Sequence, residues 1–230
     1  MLRVVMPSAP ETRAKLLAAA RQAFADLGYG RARVEDVVAR AGVGHGTFYA
    51  YFPNKRAALA ALIHENAATL VGLASQPWGV GATRRPRRTG EGGAPGKSPP
   101  VPTANQVRES LVAVLGGLAD LYDADADLIV LWTEASMRDP ELGRVLDEVR
   151  RQFAKRVARN IERAAAQGLT RPVDAHTAAT ALAAMAEQTL FLRAVRKEPL
   201  DRDTTVQTLA DLWYHALYRE QPGEPGGSTG

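Results

Sequence analysis

From Ala41 to Lys55 the chain reads AGVGHGTFYAYFPNK, and no other stretch limits the fold as tightly. It is too rich in glycine for an ordinary core helix and too aromatic for an ordinary loop. Gly42 and Gly44 separate two helical patterns, VEDVVARA before them and a short one over about residues 45–51 after them. Pro53 ends the second piece, and Asn54 is placed to cap the next helix. Upstream, TRAKLLAAARQAFADLG has Leu16, Ala20, Phe24 and Leu27 at helical spacing, with Thr12 as a candidate cap and Gly28 as the stop. Val34, Val37, Val38 and Ala41 share one face of the second helix, and Gly42 is its expected left-handed end. Phe48 and Phe52 are expected to pack back on Val37, Val38 and the first helix. Two helices set at a steep angle by a short glycine turn form a helix-turn-helix.

The other faces of the short third helix suit a nucleic acid. At 1.5 Å per residue it is roughly 10 Å long, and a DNA major groove about 12 Å wide admits it. Gly44 sits at the cap position, where free N–H groups suit a phosphate. Gly46 costs up to about 1 kcal/mol against alanine inside a helix, which makes sense where another backbone comes close. Thr47 and Tyr49 can donate to phosphate oxygens, and His45 and Ala50 can face base edges. Tyr49 follows Phe48 by one residue, so it lies about 100° round the helix and faces away from the core. Tyr51 divides between packing and phosphate. Lys55 at the start of the next helix opposes that helix's dipole, and is read as a phosphate contact.

Helical periodicity continues along the rest of the chain, with one break. A long helix over about 55–75 is followed by PWGVGATRRPRRTGEGGAPGKSPPVP, with six glycines and six prolines in 26 positions. No core can be built from that composition, so residues 76–105 read as a disordered Pro/Gly/Arg-rich linker. The RRPRR run within it reads as part of a solubilising loop. Residues 106–220 resume as helices: VRESLVAVLGGLADLY, the nearly apolar DLIVLWTEASMR, a long piece closed by Gly168, an alanine-rich piece over 174–196, and a last helix with Val206, Leu209, Trp213 and Ala216/Leu217 in register. Residues 221–230 read as a disordered tail. The expected class is all-α.

Charge is distributed unevenly. Residues 1–75 hold nine Lys/Arg against five Asp/Glu, residues 76–105 five against one, and residues 106–230 fifteen against nineteen. A basic front and an acidic back place an anionic partner at the N-terminal end. The chain has no cysteine, which removes disulfides and thiol chemistry and suits a reducing, cytoplasmic setting. No apolar run approaches 18 residues and no signal-peptide pattern is seen, so no membrane association is expected.

The segment RVEDVVARAGVGHGTFYAYFPNKRAAL closely resembles the DNA-binding segment of the TetR (tetracycline-repressor-like) family of bacterial transcription regulators. The specific part is A-G-V, then G-T-F-Y, then Y-F-x-N-K at one fixed spacing, within residues 12–63. WTEASMRDPEL is also similar to C-terminal segments of such regulators. Two departures stand out: Ala32 and Arg33 occupy positions where the family often has a capping Thr or Ser, and Gly44 stands where Ser is common. Arg33 can replace the lost phosphate contact by charge. The resemblance implies a helix-turn-helix DNA-binding domain over residues 1–55, a connecting helix, and a C-terminal helical domain over 106–220 for dimerisation and effector binding. Its partners would be a double-stranded DNA operator, a second copy of the chain and a small-molecule effector, with no cofactor. The alanine-rich helix and the last helix suit a four-helix dimer interface.

An effector pocket would lie among the C-terminal helices, with Trp132, Phe153, Met185 and Gln188 as candidate walls and one orienting amide. Asp123, Asp125, Asp127 and Glu134 match positions 1, 3, 5 and 12 of a calcium loop, but Leu128 stands where that loop needs glycine. These aspartates are better read as capping the helix that follows. An all-helical enzyme using Glu134 with His176 or His215 finds no supporting motif. A sequence-independent architectural DNA protein is opposed by the acidic C-terminal part. The expected function is that of a dimeric, ligand-responsive regulator, most simply a repressor that releases a palindromic operator.

Overall fold

The computed structural model describes residues 8–78 and 102–219, and these contain nine α-helices and one isolated antiparallel bridge, Thr170 with Tyr218. The body of the Pro/Gly-rich stretch and the C-terminal tail lie outside the described residues. The chain forms two compact units: the described residues up to Val71 together with Tyr122–Gln152, and Gly72–Leu121 together with the residues from Phe153 onward. Helices α4 (Lys55–Ala74), α5 (Ala104–Ala124) and α7 (Pro140–Ala166) therefore each contribute residues to both. This division differs from a sequential split, because contacts made by α6 (Ala126–Arg138) bind it to the N-terminal helices.

In the first unit, α1 (Ala9–Leu27) buries Leu16, Ala20 and Phe24 completely, as its spacing requires. Its start is not Thr12. Ser8 is the cap, with a reciprocal box in which Ser8 N–H donates to Glu11 Oε2 (2.7 Å) and Glu11 N–H donates to Ser8 Oγ (3.4 Å). Pro10 is accommodated because first-turn residues have no intrahelical acceptor to lose. Helix α1 ends at Gly28, whose φ is 75°. The α6 positions Leu128, Ile129, Leu131, Trp132 and Ala135 are buried.

One salt-bridged knot holds this unit together. The Arg21 guanidinium on α1 donates to Asp125 Oδ1 (2.6 Å) and to both carboxylate oxygens of Asp127 (2.5 and 3.0 Å). Asn66 on α4 donates to the second oxygen of Asp125. Asp125 does stand at the cap position of α6, yet makes no side-chain cap bond, so the capping role expected of it gives way to Arg21 and Asn66. Arg56 at the start of α4 pairs with Asp139 (2.6 Å), which ends α6, and with Glu141 in the first turn of α7.

The second unit is built around Trp213, which is fully buried on α9 (Arg202–Leu217) and packs on Trp78 with ring centroids 6.0 Å apart. Trp78, which composition assigns to the linker, is thus a core residue, and α5 begins at Ala104, within the range read as linker. Buried Asn160 on α7 donates to the carbonyls of Ala74 (3.2 Å) and Gln76 (3.1 Å), capping the end of α4. Helix α8 (Ala175–Ala194) starts with Asp174 accepting from Thr177 N–H (2.7 Å), and α9 with Asp201 accepting from Thr204 N–H (2.8 Å).

By length and mean hydropathy (1.4), α4 is the one described helix that reaches what a membrane span needs. The sequence reading missed it because Lys55, Arg56, His64, Glu65 and Asn66 divide its apolar residues. Ala58, Leu59, Leu62, Ile63 and Ala67 are buried within the protein.

Candidate nucleic-acid interface

The N-terminal helix-turn-helix is α2 (Val34–Ala41) followed by α3 (His45–Tyr51). Gly42 takes φ 61° and ψ 39°, the left-handed ending expected of it. Its N–H donates to Ala39 O (3.3 Å), and Val43 N–H donates to Val38 O (3.1 Å). These bonds satisfy carbonyls that α2 would otherwise leave open. An L-residue at Gly42 would be strained there. Helix α3 then begins at Gly44, whose carbonyl accepts from Thr47 N–H at 3.0 Å.

The two sides of α3 have separate surroundings. Phe48 is fully buried and Phe52 nearly so, with ring centroids 5.7 Å apart, and the Arg13 guanidinium lies 5.7 Å from the Phe52 centroid. Val37 and Val38 of α2 are buried with them in the unit's core. On the outer side, Gly44, His45, Gly46, Tyr49 and Ala50 are exposed, while Thr47 and Tyr51 are half-buried. Tyr49 is 55% exposed, unusual for an aromatic whose neighbour Phe48 is in the core. No heavy atom lies within 4 Å of the point where a β-carbon on Gly46 would sit. Packing within the protein therefore does not account for a glycine at that position. His45 Nε2 lies 3.6 Å from Glu35 Oε1, so an acidic neighbour stands beside this side chain at the front of the helix.

Arg33 caps α2 through its backbone: its N–H donates to Asp36 Oδ2 (2.8 Å) and its carbonyl accepts from Asp36 N–H (3.1 Å). The side chain is exposed. Ala32 beside it is fully buried, which explains a small apolar residue in place of a capping hydroxyl.

Lys55, expected as a phosphate contact, is engaged within the protein in the DNA-free chain. Its Nζ donates to the carbonyls of Tyr29 (2.7 Å), Gly30 (3.2 Å) and Ala32 (2.7 Å), and it sits 4.8 Å from the centroid of the Tyr29 ring. Burial pushes its pKa below the usual lysine value. All three ammonium protons are thus spent on the α1–α2 loop, which also removes the objection that a lysine at a helix start opposes the dipole. No sequence pattern signals this, because the acceptors are backbone atoms 23–26 residues away.

Trp132, Phe153, Met185 and Gln188 are the candidate walls of an effector pocket. Trp132 is buried in the first unit, whereas Phe153, Met185 and Gln188 belong to the second. There Phe153 is buried, Met185 half-buried and Gln188 exposed. Glu134 is also exposed.

Comparison with known proteins finds two consecutive matched segments. A family model described as bacterial regulatory proteins of the tetR family matches residues 16–62. A second, for the C-terminal domain of the transcriptional regulator EthR, matches residues 111–219. No curated protein matches the chain. Among solved structures, a putative TetR-family transcriptional regulator from Syntrophomonas wolfei superposes with a TM-score of 0.69 at 18% identity, covering 90% of this chain and 94% of that one. Salmonella enterica GusR gives 0.63 at 22% identity, covering 91% and 98%. The regulator FadR of Bacillus subtilis, solved in complex with stearoyl-CoA, gives 0.66 at 17% identity, covering 89% and 99%. At these identities the likeness to solved structures is one of fold.

Proposed function

The chain belongs to the tetR family of bacterial regulatory proteins, and from that premise we propose that it is a homodimeric repressor that holds a palindromic operator through α3 and releases it when a small molecule binds the C-terminal part. That it is a DNA-binding transcriptional regulator with a C-terminal effector domain follows from the family.

The observation that carries this reading is the outer face of α3. An exposed tyrosine, an exposed histidine and a glycine without an internal reason lie together on a helix whose inner side is two phenylalanines. We assign His45 and Ala50 to base edges, and Thr47, Tyr49, Tyr51 and Arg33 to phosphates, with Gly44 and Gly46 letting the DNA backbone come close. Lys55 is assigned to holding the α1–α2 loop, from which Arg33 is presented. The dimer is supported by α8 and α9, which expose Ala181, Ala184, Thr208, Leu212 and Ala216. For the effector we retain Phe153 and Met185, an aromatic and a polarizable wall within one unit. Release requires that the effector bind one conformation better than the other, since equal affinity shifts nothing.

A mobility-shift titration on DNA flanking the chain's own gene tests the reading, together with sedimentation analysis of the complex. The expected result is a two-protomer complex on an inverted repeat with half-sites about 34 Å apart or a multiple of that. Equal binding to all sequences, or binding by single chains, would overturn it.

A further inference from the structure

The basic residues around the helix-turn-helix differ in what occupies them. Arg13, Arg21, Arg40 and Arg56 are paired with carboxylates, and Lys55 is held by carbonyls. Among the described residues, neither an ion pair nor a hydrogen bond engages the side chain of Lys15. It is exposed on α1, with leucines 16 and 17 beside it in the core. Its Nζ lies 4.0 Å from where a β-carbon on Gly42 would sit. The ammonium group therefore stands beside the left-handed residue that turns α2 into α3.

We propose that Lys15 is a DNA-phosphate contact, delivered by α1 to the α2–α3 turn. The proposal rests on reading α3 as the helix that enters the groove. The exposed row of α3 begins at His45, three residues after Gly42. When such a helix lies in a major groove, the turn leading into it stands at the groove's rim, where the phosphates are. An unoccupied ammonium at that place meets a phosphate oxygen. With Arg33 at the other end, two positive charges bracket α2, an eight-residue helix about 12 Å long. The competing task for a lysine near a helix C-terminus is to bind the last carbonyls. Lys15 makes no such bond, and the N–H groups of Gly42 and Val43 already serve Ala39 O and Val38 O.

The test compares the wild-type chain with Lys15→Gln and Lys15→Arg on two labelled duplexes. One is selected from a random-sequence duplex pool by the wild-type protein, and the other is of mixed sequence. Affinity is followed from 0.05 to 0.3 M salt, and thermal melting is recorded alongside. Lys15→Gln is expected to weaken both duplexes by a similar factor, roughly eightfold per protomer at 0.1 M salt, and to reduce the slope of log K against log salt by about 0.9 per protomer. Lys15→Arg should keep the slope, and neither change should move the melting midpoint. An unchanged slope and affinity in Lys15→Gln overturns the proposal. So does an unchanged slope with a lowered midpoint, which would mark Lys15 as a cap of α2. If the wild-type chain binds neither duplex, the DNA-binding reading itself has failed and the proposal goes with it.

Discussion

A β-carbon on Gly46 would meet nothing within the protein, yet glycine inside a helix costs up to about 1 kcal/mol against alanine. Gly46→Ala should therefore raise the stability of the free chain by a few tenths to about 1 kcal/mol while weakening operator binding at least tenfold. Opposite signs in a denaturant titration and a mobility shift are the expected outcome; a stabilised variant with unimpaired binding would remove Gly46 from the interface. Lys55→Met should behave the other way. It leaves three carbonyls of the α1–α2 loop without their donor, and losing such a donor costs about 1–3 kcal/mol. Its loss of DNA affinity is expected to come with a lower melting midpoint, where a pure phosphate contact would leave the midpoint alone. The contrast shows what could be read in advance. Phe48 and Tyr49 were separable because helical geometry puts neighbours about 100° apart. The role of Lys55 was hidden because its partners are backbone atoms, which every sequence has.

At the scale of elements, the helices followed their apolar periodicity closely, and what eluded the sequence was how charged groups tie them. Thr12, the expected cap, lies inside α1, and the reciprocal box of Ser8 with Glu11 sets the helix start instead. Asp125 offered a local cap, but its carboxylate is taken by Arg21 on α1 and Asn66 on α4, more than fifty residues distant in each case. Arg21→Ala is expected to lower the melting midpoint by roughly 2–4 °C, corresponding to about 1 kcal/mol for a chain of this size, since the pairs are partly exposed. The pH dependence follows from Asp127. The Arg21 hydrogen bond holds its carboxyl below the usual value of 3.8. A carboxylate depressed in the folded state adds stability above its unfolded pKa and loses it as pH falls through the folded one. The gap between wild type and Arg21→Ala should therefore be constant from pH 7 to about 5 and shrink below about 4. Melts across that range that keep a constant gap would show that the pair is silent.

At the scale of the whole molecule, the proposed dimer follows from the length of α3: a seven-residue helix placed in a groove presents too few side chains to select one site alone. Each chain leaves an apolar strip open on α8 and α9. Leu212 is 50% exposed on α9, with Thr208 and Ala216 one turn to either side of it, and α8 exposes Ala181 and Ala184. Small and apolar residues allow two helix pairs to approach closely across a two-fold axis, and a stable interface needs about 800 Å² from each partner. On such an axis a substituted residue approaches its own copy, so Leu212→Glu would place like charges together in an apolar contact. The side chain is exposed in the single chain, so its own fold should be little affected and far-UV circular dichroism unchanged. Sedimentation should shift from dimer to monomer. Operator affinity should fall by at least a hundredfold, with non-specific affinity per protomer nearly constant, because phosphate contacts within one protomer survive. Leu212→Ala should do the same more weakly. A Leu212→Glu chain that stays dimeric and binds its operator as before would move the two-fold axis away from α9, leaving α3 and its partners unaffected.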